Sequence, residues 1–217
     1  MSEDGSRTRV HLVRHAAAAA WSVGHCIGRT DVPLSQAGRE RADQLAASFA
    51  GLQLDAVYSS PALRARDTAR PVAVVAHRGV SVVEGLAEID FGSFDGRPFD
   101  EIAKSEPARY QEWMTDPTRV TFPGGESYAD LQTRVTASIR EVVQRHRGAT
   151  VVVVTHAGPI RAVLAGVLEM PDRTLFRLDV APGTVTVVDW IGDAPIVRGV
   201  GTAQMTFKPL ATRRPAS

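Results

Sequence analysis

The sequence predicts an α/β fold in which helices cover both faces of a largely parallel sheet. Segments with strand character alternate with segments of helical periodicity along most of the chain. Four consecutive valines lie between Thr150 and Thr155, as expected for a central strand that is buried on both faces. Three strand-like segments also end in polar residues, and the carboxyl ends of parallel strands meet at one edge of a sheet.

The individual elements follow from local patterns. The first strand is predicted to end where five alanines, residues 16–20, begin, since alanine is a poor strand former. Ser35 is expected to cap the next helix, and Pro61 to open the one after it. The strands are predicted over residues 10–15, 54–58, 80–84, 150–155, 184–190 and 196–200, the last two as a terminal hairpin or edge strands. The helices are predicted over residues 36–50, 62–76, 99–113, 128–146 and 160–168.

Composition limits the classes of function. The 217 residues hold 25 lysines and arginines against 24 acidic residues, so the formal charge of +1 gives no overall field to attract nucleic acid or an anionic membrane. Cys26 is the only cysteine, which excludes an intramolecular disulfide and a cysteine-rich metal site. No apolar run approaches the length of a membrane span, and the amino terminus is polar, so we expect a cytoplasmic protein.

The three polar strand ends are expected to form one site. They are Arg14-His15, then Ser59-Ser60-Pro61 with Arg64 one turn into the following helix, then His156-Ala157-Gly158-Pro159. Arginine guanidinium groups and helix N-termini both bind anions, and a phosphoryl group is the ligand that fits them. A neutral imidazole in this group is a competent nucleophile toward phosphorus, and the arginines would hold the developing charge without a metal ion.

A carboxyl group is needed to protonate the leaving alcohol. Glu88 is the best candidate because it follows a predicted strand and precedes a loop of glycines and aromatic residues, while Glu84 and Asp90 are rivals on position alone. A metal site at His11 and His15 is rejected, because residues four apart in a strand are about 13 Å apart. A dinucleotide site is rejected because no G-x-G-x-x-G follows the first strand.

Four blocks of the sequence, in this order, resemble the histidine phosphatase, or phosphoglycerate mutase-like, superfamily. They are residues 12–15 (LVRH), 58–69 (YSSPALRARDTA), 88–96 (EIDFGSFDG) and 154–161 (VTHAGPIR). The resemblance implies a three-layer α/β/α sandwich with a mostly parallel central sheet. It also implies that His15 is the phosphorylated nucleophile, that Arg14, Arg64 and His156 form the phosphate pocket, and that Glu88 is the acid that later serves as base for water. No cofactor and no metal are implied.

Residues 24–34 and 122–127 look most like the alpha-ribazole phosphatase group, although similar blocks occur in broad-range phosphatases. The segment between Glu88 and His156 is shorter than in the mutases, which favours a hydrolase over a mutase. The sequence departs from the family at residues 16–20, where alanines replace polar residues, and at Ile27. With Trp21 these alanines predict a larger or less polar leaving group, and Gly28 and Ala157 are further candidates for the substrate pocket.

The sequence therefore predicts a metal-independent phosphomonoesterase that acts on a small phosphorylated metabolite. The alternatives are a mutase-type phosphoryl transfer and a regulator that binds phosphate on the same scaffold without chemistry. We expect one domain over residues 1–217, with its core at 9–200 and a flexible tail at 210–217. The expected partner is a small-molecule phosphate ester rather than nucleic acid or a membrane, and an edge strand permits a homodimer.

Overall fold

The computed structural model describes residues 7–203, and the tail predicted over 210–217 lies outside them. The strands are β1 (Arg7–Arg14), β2 (Ala56–Ser59), β3 (Val80–Val82), β4 (Thr150–Thr155), β5 (Val185–Ile191) and β6 (Ala194–Thr202). The helices are α1 (Gln36–Phe49), α2 (Leu63–Val75), α3 (Phe99–Ser105), α4 (Pro107–Thr115), α5 (Tyr128–Arg145) and α6 (Ala157–Leu168). Short 3₁₀ turns occur at Ala20–Ser22, Glu84–Leu86, Gly92–Phe94 and Asp172–Arg177.

The six strands form one mixed sheet in the order β3-β2-β4-β1-β5-β6. The pairs β2–β3, β2–β4 and β1–β4 are parallel, whereas β5 runs antiparallel to β1 and β6 antiparallel to β5. The predicted hairpin is therefore confirmed. It adds an antiparallel edge to the parallel half of the sheet, and the parallel half carries the polar strand ends.

Two hydrophobic clusters lie on opposite faces of the sheet. The valines of β4 alternate between them, with Val151 and Val153 on the α5 and α6 side and Val152 and Val154 on the α1 and α2 side. All four side chains are completely buried. This arrangement confirms the central strand that the valine run predicts and the three-layer α/β/α architecture.

The predicted helix over 99–113 is wrong as one element, because α3 ends at Ser105 and α4 begins at Pro107. Glu106 between them adopts φ −132° and ψ 54°, outside the helical region. A residue that precedes proline is disfavoured in helical geometry, while proline itself fits the first position of a new helix. The Glu106-Pro107 step therefore breaks the helix in two.

Three predicted boundaries also move. Helix α2 begins at Leu63 with Ala62 as its N-cap residue, so Pro61 precedes the helix instead of opening it. Helix α6 begins at Ala157, earlier than predicted, because proline is tolerated in a first turn whose N–H groups have no helical partner. The Ser35 cap is confirmed by its side chain, which accepts a hydrogen bond from the Gly38 N–H. Between residues 7 and 203, no helix has the length and apolar character needed to cross a membrane.

Candidate active site

The ends of β1, β2 and β4 meet at one edge of the sheet. Arg14 pairs with Thr155 in the β1–β4 register, and the His15 N–H donates to the Thr155 carbonyl at 2.9 Å. On the other side of β4, the Ser60 N–H donates to the Val154 carbonyl at 2.9 Å. The backbone ladder thus continues one residue past the strands and brings the polar residues of all three ends together.

His15 is held with one ring nitrogen ready to act as a nucleophile. Its Nδ1 lies 2.8 Å from the carbonyl oxygen of Ala16, and its Nε2 accepts a hydrogen bond from Arg64 Nε at 3.3 Å. These partners assign the proton to Nδ1 and the lone pair to Nε2. Burial lowers the pKa of His15 to about 3, and the charges of Arg64 and Arg14 also lower it. The ring is therefore neutral near pH 7.

Arg64 is a buried cation, with only 1% of its surface exposed. Besides its contact with His15, it donates from Nη1 to the Thr30 carbonyl at 3.0 Å and from Nη2 to the Gly28 carbonyl at 2.8 Å. Burial lowers its pKa, while the carboxylate of Glu88 raises it. These bonds fix the guanidinium beside the lone pair of His15.

The loop that supports Arg64 is shaped by Asp95. One carboxylate oxygen accepts the Gly28 N–H at 2.8 Å, and the other accepts the N–H groups of Arg29 and Thr30 at 2.7 and 2.8 Å. Gly28 must lack a side chain, because a Cβ there would lie 2.3 Å from the Ile89 carbonyl oxygen. Gly28 thus contributes to the site through its backbone, which packs against Ile89 and whose carbonyl accepts a hydrogen bond from Arg64.

His156 lies next to His15, with 5.0 Å between the ring centroids. Its Nε2 is 2.7 Å from the Ser60 hydroxyl, which also accepts the Ala62 N–H at 3.3 Å. We assign the hydroxyl as the donor to Nε2, and this assignment puts the imidazole proton on Nδ1. That Nδ1 is buried and has no hydrogen-bond partner among the described residues. Burial and the charge of Arg64 hold the pKa of His156 well below its usual value.

Glu88 approaches the same edge from the loop after β3. Its Oε1 accepts the Ile89 N–H at 2.9 Å, and its Oε2 accepts the Gly158 N–H at 3.3 Å in the first turn of α6. A Cβ on Gly158 would lie 2.2 Å from Oε1, so only glycine permits this approach. The Glu88 carboxyl group thus lies against the first turn of α6, next to the residue that follows Ala157.

Arg134 on α5 fixes the backbone of the loop that carries Glu88. It donates to the carbonyl oxygens of Gly85, Ala87 and Glu88 at 3.1, 2.8 and 2.9 Å. The same guanidinium forms a two-pronged ion pair with Glu126 at 2.7 and 2.8 Å. A planar fork of five donors suits this task better than the single point charge of lysine.

The two rival carboxyl groups occupy different positions. Asp90 turns back onto its own loop, where its Oδ1 accepts the Gly92 N–H at 2.8 Å. Glu84 is exposed at the start of a 3₁₀ turn. Only Glu88 of the three contacts a residue that follows His156, so the geometry favours Glu88.

Arg14 completes the cluster. Its Nη1 donates to the Val180 carbonyl at 2.6 Å, and its Nε is buried without a hydrogen-bond partner in the described part of the chain. Burial lowers the pKa of Arg14, and the carboxylate of Glu88 raises it. Between residues 7 and 203, no group of three or more histidine, cysteine, aspartate or glutamate side chains is placed to hold a metal ion.

A family model, described as the histidine phosphatase superfamily (branch 1), matches residues 10–202. The chain belongs to this superfamily. Phosphoserine phosphatase 1 of Hydrogenobacter thermophilus is 37% identical over 157 residues, which are 72% of this chain and 74% of that protein. The adenosylcobalamin/alpha-ribazole phosphatase of Escherichia coli is 26% identical over 181 residues, 83% of this chain and 89% of that protein.

Solved structures agree with this assignment. The structure of Bacillus stearothermophilus YhfR has a TM-score of 0.85 and 28% sequence identity, covering 89% of this chain and 96% of that one. The predicted family and fold are thus confirmed. Family and relatives together show that the chain is a phosphatase, a hydrolase of phosphoric monoesters.

In this histidine phosphatase, the three candidate pocket residues differ in position. Ala157 is buried and opens α6 directly after His156, and Gly28 contacts Arg64. Trp21 is 52% exposed, and its recorded ring contact is with His25 at 5.9 Å. No recorded contact joins Trp21 to the other candidates within the described chain, so its place in the pocket stays a prediction.

Two of the alanines in residues 16–20 make contacts that the sequence does not reveal. Ala16 is completely buried, and its N–H donates to the Thr68 hydroxyl at 3.0 Å. A Cβ on Gly38 in α1 would lie 2.0 Å from the Ala17 carbonyl oxygen, so the segment lies against the start of α1. These contacts place Ala16 in the core and the backbone of Ala17 against α1, while the effect of the alanines on the substrate stays a prediction.

Sequence reasoning assigned no supporting role to three residues: Ser60, Asp95 and Arg134. Ser60 and Asp95 lie inside the blocks that carry the family resemblance, which was the available signal. Arg134 had no such signal, because on a helix surface an arginine is ordinarily solvated.

Proposed function

We propose that this histidine phosphatase hydrolyses small phosphate monoesters in two steps through a phosphorylated His15. One observation carries the proposal: the lone pair of His15 Nε2 lies beside Arg64, and the unpartnered Nδ1 of His156, to which we assign the ring proton, is buried at the same edge. An unpaired buried donor is costly, and a phosphoryl oxygen would satisfy it. The neutral state of His15 keeps the nucleophile available.

In the first step, Nε2 of His15 attacks phosphorus as the bond from phosphorus to the ester oxygen breaks. Arg14, Arg64 and His156 stabilise the charge on the transferring oxygens. Glu88 gives its proton to the departing oxygen, so the products are an alcohol and a phosphorylated His15. The backbone carbonyl of Ala16 keeps the Nδ1 proton in place during the attack.

In the second step, the oxygen of a water molecule attacks the phosphorus atom bound to His15 Nε2 and forms a new bond to it. Glu88, now ionised, takes one proton from the water, and the bond between phosphorus and Nε2 breaks. Inorganic phosphate leaves, and His15 returns to its neutral form. Glu88 thereby ends each cycle protonated, as the first step requires.

The substrate we propose is a small phosphorylated metabolite of the phosphoserine kind. The support is the similarity to phosphoserine phosphatase 1, over about three quarters of that protein. The alpha-ribazole phosphate class remains a candidate through the more distant Escherichia coli relative. The cytoplasmic location, the homodimer, the absence of nucleic-acid and membrane partners, and the single domain stay predictions.

The test is phosphate release from a generic aryl phosphate in the presence of excess chelator. We expect wild-type activity to persist under chelation and to fall by at least about 10³-fold in His15→Ala. The matched control is His77→Asn, which changes an exposed histidine in a left-handed conformation that asparagine tolerates. Brief incubation with labelled substrate should leave an acid-labile label on the wild type only.

Two results would contradict the proposal. One is equal turnover in His15→Ala and the wild type, and the other is loss of wild-type activity on chelation. The mutase alternative predicts phosphoryl exchange between phosphoglycerates with little net release of phosphate. The regulator alternative predicts phosphate binding without turnover.

A further inference from the structure

Arg161 is a further cation beside the proposed site, and the mechanism above does not use it. It lies on α6 four residues after Ala157 and three after Gly158, so the three share one face of the helix. The Gly158 N–H is the group that contacts Glu88. Arg161 therefore stands about one helical turn beyond the proposed proton donor.

One short segment holds Arg161 next to Arg14. The Leu178 carbonyl accepts Arg161 Nε at 3.1 Å, and the Val180 carbonyl accepts Arg14 Nη1 at 2.6 Å. The charge of Arg161 also lowers the pKa of Arg14, so the two guanidinium groups are near enough to interact. Both arginines are half-buried, and the carboxylate of Glu88 raises the pKa of each against the lowering effect of burial.

The Arg161 guanidinium is fixed in orientation but keeps donors free. Its central carbon lies 5.1 Å from the centre of the Phe176 ring, which is 52% exposed. Within residues 7–203 only its Nε donates a hydrogen bond, and its two Nη groups are not fully buried. Asp179 is exposed and also raises the pKa of Arg161, but it forms no recorded ion pair within residues 7–203.

We infer that Arg161 binds a carboxylate on the leaving group, so that the preferred substrates are phosphate esters of hydroxycarboxylic acids. The inference rests on the proposed function, since it takes Arg14, Arg64 and His156 to be occupied by the phosphoryl group. A guanidinium with two open Nη groups matches the two oxygens of a carboxylate. Its single charge also balances a single carboxylate, after Arg14 and Arg64 have met the phosphoryl dianion.

The experiment compares two substrates that differ mainly in one group. 3-Phosphoglycerate carries a carboxylate where glycerol 3-phosphate carries a hydroxymethyl group. We expect the wild type to favour 3-phosphoglycerate by about 10- to 100-fold in kcat/KM, chiefly through KM, because charge-assisted hydrogen bonds are stronger than neutral ones. In Arg161→Met the ratio of the two kcat/KM values should fall to about 1.

Two further variants keep the result interpretable. Arg177→Ala removes an exposed arginine of the neighbouring 3₁₀ turn and should leave the ratio unchanged, which separates a specific contact from general charge attraction. Arg161→Lys keeps the charge without the fork and should give an intermediate ratio. Should Arg161→Met fold poorly, as judged by its Tm, the lysine variant carries the test.

The outcomes separate this inference from the proposed function. A wild type that hydrolyses both substrates with a ratio near 1, or a ratio that Arg161→Met and Arg161→Lys leave unchanged, overturns the role of Arg161 alone. A wild type that releases phosphate from neither of these esters nor from an aryl phosphate overturns the proposed function. A preference that persists in Arg161→Met would place the carboxylate contact on another residue and would also overturn the inference.

Discussion

At the scale of single residues, the orientation of His156 depends on the hydroxyl of Ser60. This hydroxyl lies 2.7 Å from Nε2 and is completely buried, so water has no easy route to replace it. Its neighbour Ser59 is equally buried but donates to the Ser60 carbonyl at 2.8 Å and contacts neither histidine by hydrogen bond. Of these two adjacent serines, Ser60 positions the His156 ring, whereas Ser59 contacts only the local backbone.

Ser60→Ala is expected to lower kcat by about tenfold, because one hydrogen bond to the ring is lost and the Nδ1–H tautomer is no longer imposed. The measurement is kcat on an aryl phosphate together with its pH profile, which should change as His156 loses its partner. Ser59→Ala is the control, and we expect it to lower stability without the change in the pH profile. Equal pH profiles in the two variants would show that Ser60 does not act through His156.

At the scale of elements, α6 must bring a helix N-terminus to Glu88 without a side chain in between. Gly158 satisfies this requirement, since a Cβ there would lie 2.2 Å from the carboxylate. Gly166, later in the same helix, is exposed, and a Cβ there would meet nothing within 4 Å. The two glycines thus offer a matched pair within one helix.

Gly158→Ala is expected to reduce kcat by about 100-fold, because a displacement of the Glu88 carboxyl by about 1 Å is enough to disrupt proton transfer. Gly166→Ala should leave kcat unchanged and raise the free energy of unfolding by about 0.5–1 kcal/mol, the difference in helix propensity. Steady-state kinetics and thermal unfolding of both variants test this. Full activity in Gly158→Ala would mean that the position of Glu88 is unimportant.

At the scale of the whole molecule, the sheet buries ionisable groups near both ends of β1. At the end opposite the site, Asp189 is completely buried and accepts from Arg9 at 2.7 Å and from Arg198 at 2.9 Å. Burial lowers the pKa of His11 to about 4, with Arg9 lowering it further and Asp189 opposing the shift. At the end that carries the candidate site, burial lowers the pKa of His15 to about 3.

These histidines predict lower stability in mild acid. In the unfolded chain they take up protons as the pH falls below about 6.5, while in the folded protein they stay neutral until about pH 4 or lower, so stability falls between these values. His11 alone should contribute a loss of about 2 kcal/mol between pH 7 and pH 5. The carboxylate of Asp189, whose pKa is lowered by its arginine partners against the effect of burial, loses its contribution only at lower pH.

The measurement is the free energy of unfolding in urea at pH 7 and pH 5. His11→Leu should reduce the difference between the two pH values by about 2 kcal/mol, whatever it does to stability at pH 7. His77→Asn retains the buried imidazoles and should show the full difference. An undiminished difference in His11→Leu would mean that His11 does not titrate as its burial implies.

Sequence patterns by themselves determined the layers of the fold and predicted the residues of the candidate site, because each depends on local chemistry. The valines of β4 predict burial on both faces from their composition alone, and parallel strands bring their polar ends together wherever they pair. Arg14, His15, Arg64 and His156 could therefore be placed at one edge before any contact was known. The helix break at Glu106 also has a local cause, since the following proline disfavours helical geometry there, although the helix was predicted as one element.

Tertiary structure decided which side chains support these residues, because hydrogen-bond partners come from segments far apart in the chain. Arg134 reaches the Glu88 loop from α5, and Asp95 shapes the loop of Gly28 from the other side of the site. The open Nη groups of Arg161 likewise depend on the Leu178 carbonyl and the Phe176 ring. Local patterns specify elements and their ends, whereas the direction and partners of a charged side chain are fixed only when the elements pack.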